Sequence, residues 1–145
     1  MPMRRYLVVA NQILAGEPLV TRLRELSRAE PCAFFLIVPA TPPRDHPWTE
    51  REARATAGAR LDEALMRLSA LEVKVEGEVG DGNPMLAIDD AIRDHGPFAE
   101  IILSTLPPGA SKWLRLDLPH RVSASFGLPM THIEGEPEPG GSPRG

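Results

Sequence analysis

PFAEIILSTLPPGASKWLRLDLPHRVSASFGLPMTHI, residues 97–133, decides the fold. Phe98 to Leu103 is a short apolar run with β-branched Ile101 and Ile102, the mark of a buried strand. Ser104 to Leu116 follows with Pro107, Pro108, a single glycine and Trp113, and reads as an irregular loop. Asp117 stands where it can cap a helix over Leu118–Ser125, and Leu128–Ile133 reads as a last strand. In open α/β sheets ligands sit where such a loop leaves the carboxyl end of a strand. Any site in this chain is therefore expected here.

Working outward, the same grammar repeats. Tyr6 to Ala10 is a continuous apolar run that fits a central strand covered on both faces. A helix opens near Pro18, with Leu19, Leu23 and Leu26 at helical spacing, and ends by Pro31. Ala33 to Val38 is a second buried run, and residues 39–47 hold four prolines in a loop. Thr49 and Glu52 form a capping box that opens a long helix to about Ser69. Its apolar stripe is Ala53, Ala57, Leu61, Ala64, Leu65 and Leu68, with its charges on a solvated face. Glu72 to Val79 alternates apolar and polar, as an edge strand does, and Lys74, Glu76 and Glu78 guard that edge. Asn83 caps the next helix with Pro84 at its first position. Met85, Ile88, Ala91 and Ile92 face inward there, and Gly96 supplies the stop. Strands and helices alternate throughout, which implies a three-layer α/β/α domain with an open, mainly parallel five-stranded sheet. Residues 134–145, EGEPEPGGSPRG, have nothing apolar to bury and are expected to form a disordered tail on a domain spanning residues 1–133.

Composition narrows the class. The chain has 145 residues, enough for one compact domain with a core of its own. Its net charge of −4 and scattered basic residues argue against a nucleic-acid partner. No run approaches the roughly 18 apolar residues of a membrane span, and Tyr6–Ala10 is too short for a signal peptide. A cytoplasmic protein with no membrane partner is expected. Cys32 is the only cysteine, so no internal disulfide is possible, and its neighbours Phe34 and Phe35 predict a buried, inert thiol.

The strand–loop–helix–strand ending, with the alternation before it, resembles the universal stress protein family over roughly Arg4 to Ile133. The resemblance implies an adenine nucleotide alpha hydrolase-like sheet of order 3-2-1-4-5. Many members bind ATP through a loop of pattern G-x2-G-x9-G-[S/T] after the fourth strand. Here that pattern is broken. Counting from Ser104 puts Pro107 at the second glycine, Asp117 at the third and Leu118 at Ser/Thr. With one residue deleted from the loop, Asp117 falls at Ser/Thr instead. Pro107 and Pro108 remove two N–H donors from a loop that needs them. A carboxylate at the helix opening favours that end of the helix but would meet a phosphate as a like charge. At about 5 Å two unit charges repel by roughly 1 kcal/mol even in water.

The residues of such a vestigial site are Asn11, Ser104, Thr105, Gly109, Lys112 and Asp117. Asn11 stands where ATP-binding members commonly carry Asp, and its amide can also satisfy its own turn. Lys112, Arg115, Ser104 and Thr105 partly offset the acid. No cofactor is expected, weak ATP binding being the exception to test. Enzyme readings find less support. His46, His95, His120 and His132 have no ligand-like spacing, Asp89 and Asp90 point to different sides of a helix, and no G-x-S-x-G elbow is present. The expected function is a non-enzymatic stress-response or regulatory domain with a degenerate nucleotide site and an unidentified protein client. The competing reading is an adenine-nucleotide binder with slow ATPase activity. Beyond Pro129 the last strand carries no Lys, Asp or Glu until Glu134, so its edge is unguarded. Many members of the family dimerise by antiparallel pairing of this strand, which implies a homodimer.

Overall fold

The structure, a computed structural model, describes residues 3–10, 17–40, 47, 49–105 and 117–134. The elements are β1 (Arg4–Ala10), α1 (Glu17–Ala29), β2 (Cys32–Pro39), α2 (Glu50–Ala70), β3 (Val75–Gly80), α3 (Pro84–His95), β4 (Glu100–Thr105), α4 (Leu118–Ser125) and β5 (Met130–Glu134). All strand pairs are parallel, in the order β3-β2-β1-β4-β5. Period-two alternation sends successive side chains of β1 to opposite layers. Tyr6, Val8 and Ala10 pack with α1 and α2, whereas Leu7 and Val9 pack with α3 and α4. Ile101 and Leu103 join the α3–α4 layer, while Ile102 joins the α1–α2 layer. Continuous apolar runs are what a strand buried on both faces requires. Among the described residues no helix is long and apolar enough to cross a membrane.

The helix signals act as expected. Thr49 and Glu52 exchange both hydrogen bonds of a capping box, at 3.0 and 2.9 Å. Ala53, Ala57, Leu61, Ala64 and Leu68 form the buried stripe of α2. The Asn83 side chain accepts the Met85 N–H at 2.9 Å, with Pro84 opening α3. Gly96 ends α3 for a different reason from a left-handed cap: its φ is −67°, and an added Cβ would lie 2.4 Å from the Ile92 carbonyl oxygen. Only a residue without a side chain lets the chain turn that closely under the last turn.

The strand limits differ from the apolar runs, because pairing partners and not hydrophobicity set them. β3 begins at Val75, not Glu72. Glu72 takes a left-handed φ of 63°, and Val73 donates its N–H back to Leu68 of α2 before the ladder begins. β4 begins at Glu100 rather than Phe98. Phe98 is core, tilted against Phe35 at 6.2 Å with the Arg5 guanidinium 4.9 Å above its ring. The ladder starts where Glu100 meets Tyr6 and continues past Leu103 to Thr105. β5 runs Met130–Glu134 in place of Leu128–Ile133. Pro129 has no N–H to give, but its carbonyl accepts from Ile101 at 2.9 Å. Glu134 thus belongs to the domain, and residues 135–145 lie outside the described residues.

Candidate functional site

The chain passes from β1 to β2 on one side and returns from β3 to β4 on the other. The topological switch point therefore lies between the carboxyl ends of β1 and β4. Ala10 ends β1 and faces Ser104 in the register, and Ser104 faces Ile133 on its other side. Ser104 and Thr105 are the buried polar residues among those described, at 8% and 3% exposure. A polar pair this deep at a strand end is what distinguishes the edge from the core beneath it. Asn11, Gly109 and Lys112, with Pro107, Pro108 and Arg115, lie outside the described residues. Ser104, Thr105 and Asp117 are the expected site residues that the structure brings to this edge.

Asp117 does not cap α4, contrary to the sequence reading. Its φ and ψ are 56° and 38°, and its side chain makes no cap hydrogen bond. Capping needs an extended backbone, as Thr49 and Asn83 have. A left-handed residue instead turns its side chain away from the first-turn N–H groups. The Asp117 carbonyl still begins the helix by accepting the Arg121 N–H at 3.1 Å. The exposed carboxylate thus remains at the mouth of α4 without a cap hydrogen bond from the first turn of that helix. Left-handed backbone is ordinarily glycine's.

The hydroxyl of Thr105 is 2.8 Å from Nε2 of His132 on β5. The sequence reading missed this contact. The signal was parity: His132 faces Leu103 in a parallel β4–β5 pair, and Thr105 is the next residue on the same face. At the opposite, amino edge, Thr131 donates to Glu100 at 2.6 Å, and Arg4 lies 3.8 Å from the same carboxylate. These links tie β1, β4 and β5 together below the site.

Other candidates resolve into structure. His95 stacks on Phe35 at 4.2 Å and contacts Glu78 at 3.3 Å. Asp89 and Asp90 do not diverge to different sides of α3 as expected: standing four and three residues before Arg93, both reach its guanidinium, at 3.3 and 2.6 Å. That carboxylate–guanidinium contact raises the pKa of Arg93, chiefly through Asp90. Burial pushes the Cys32 thiol up, with the charge of Glu30 adding to it, so the thiolate is disfavoured. Among the described residues no three His, Cys, Asp or Glu side chains form a metal-binding group. Beside the edge, α1 and β5 enclose an open groove of about 560 Å³ lined by Pro18, Thr21, Arg22, Glu25, Thr131, His132 and Ile133. The chain matches no protein-family model and no curated protein.

Proposed function

We propose that this chain is a universal stress protein-like domain of the cytoplasm that acts without catalysis, in a stress-response or regulatory role. Its nucleotide site has degenerated, it pairs as a homodimer through β5, and its output is contact with a protein client. The observation that carries the reading is the uncapped Asp117 carboxylate at the mouth of α4. The site's electrostatics oppose a phosphate where the family resemblance would seat one. The Thr105 hydroxyl is also already engaged by His132. Support for the dimer comes from the sheet: among the described residues β5 has one neighbour, β4, and Met130 to Ile133 remain partly exposed. The other edge strand, β3, is guarded by exposed Glu76 and Glu78. Gentle denaturation of the purified protein followed by mass spectrometry tests the site. The expected result is no stoichiometric nucleotide; a near-equimolar adenine nucleotide overturns the reading.

One observation favours the second reading, an adenine-nucleotide binder with slow ATPase activity. The left-handed backbone at Asp117 keeps the turn that a glycine would make, and the Asp117 side chain leaves the first turn of α4 uncapped. Substitution of Asp117 separates the two, since it alters the charge and leaves the loop.

A further inference from the structure

We infer that the groove between α1 and β5 is the flank of a two-fold interface, in which Arg22 of each chain meets Glu25 of a second copy. The inference rests on the β5 pairing proposed above and names the surface that would fix its register. The groove brings Thr21, Arg22 and Glu25 of α1 to the level of Thr131, His132 and Ile133 of β5. Ile133 packs into the α1–α2 layer, so this is the face of β5 that α1 overhangs. When two copies of β5 pair antiparallel about a two-fold axis, the sheet continues from one chain into the other. The two α1 helices are then brought to the same face, running in opposite directions. A residue near the axis meets its own copy, and residues three apart about that point exchange partners. Arg22 and Glu25 are three apart and line the groove beside Thr131 to Ile133, so a two-fold axis that passes level with the middle of this pair sets each arginine against a carboxylate of the other chain. Their charges are self-complementary, as an isologous patch requires. Within one chain they are only loosely engaged, 4.0 Å apart with side chains 47% and 63% exposed. Both therefore have donors and acceptors left for a second copy.

The test mixes two variants, Arg22→Glu and Glu25→Arg, in equal amounts and counts dimers by native mass spectrometry. Each variant alone carries like charges across the axis and should dimerise about tenfold more weakly than the unaltered chain. Mixed, they are complementary, and heterodimers should exceed the half expected from random pairing. The intrachain pair cannot produce this preference, because neither variant retains it. Random pairing with dimers intact overturns the groove while leaving the β5 reading in place. A monomeric unaltered chain at tens of micromolar overturns the β5 reading and this one with it.

Discussion

Gly58 and Gly77 should respond to alanine with opposite signs. Propensity alone predicts a gain at both, since glycine within a helix or strand costs about 0.5–1 kcal/mol relative to alanine. At Gly58 in α2 an added Cβ would lie 3.8 Å from Val79 Cγ2, an ordinary contact. Gly58→Ala should therefore stabilise by about 0.5–1 kcal/mol. At Gly77 in β3 the Cβ would fall 2.3 Å from the Leu36 carbonyl oxygen and 3.0 Å from Leu36 Cβ. A carbon normally approaches such an oxygen no closer than about 3.3 Å, so the shortfall is roughly 1 Å. Gly77 faces Leu36 in the β2–β3 register, and the obstruction is backbone that cannot rotate aside. Relief must come from displacing the ladder. Overpacking on this scale costs about 1–3 kcal/mol, and a weakened ladder bond adds about 1 kcal/mol. After the propensity gain the net loss is about 2 kcal/mol. Equilibrium urea unfolding reads both variants. At a slope of about 2 kcal/mol per molar, the Gly77→Ala midpoint falls by roughly 1 M and the Gly58→Ala midpoint rises by about 0.3–0.5 M. A neutral or stabilising Gly77→Ala would refute the close approach of β2 and β3.

Three further outcomes are expected. Thr49→Ala removes the capping box of α2 and should cost about 1 kcal/mol in urea unfolding. Stability should be full below pH 9 and decline above it. Burial raises Cys32 above its ordinary 9.0 and Tyr6 above its ordinary 10.0. The folded chain therefore keeps protons that the unfolded chain releases. Melting temperatures between pH 7 and 11 test this, and a Cys32→Ala chain should lose the earlier part of the decline. Truncation after Glu134 should leave the melting temperature nearly unchanged, because residues 135–145 contain no apolar side chain to bury; a drop of many degrees would contradict it.

What the sequence made legible is local. Runs such as Tyr6–Ala10, the Thr49–Glu52 box and the Asn83–Pro84 pair each carry their own physics within a few residues, and the structure uses them as written. The strand order was legible only through resemblance, because alternation implies parallel pairing but not which strands are neighbours. The element limits that moved depend on distant partners. Thr105 and Ser104 look like loop by polarity, yet they extend β4 because Ala10, Ile133 and Glu134 lie beside them. The Thr105–His132 contact joins residues 27 apart and exists only once β5 is set next to β4. Asp117 shows the limit of composition reading at a helix start: an acid in the right place caps only with an extended backbone, and this one is left-handed.

The central claim is that the carboxyl edge opposes phosphate because of Asp117. Calorimetric titration of Mg-ATP into the unaltered chain and into Asp117→Ser tests it most directly. The account predicts no resolvable heat, or at most weak binding, for the unaltered chain, and tighter binding for Asp117→Ser once the like charge is gone. Low-micromolar affinity in the unaltered chain, unchanged by the substitution, would contradict it.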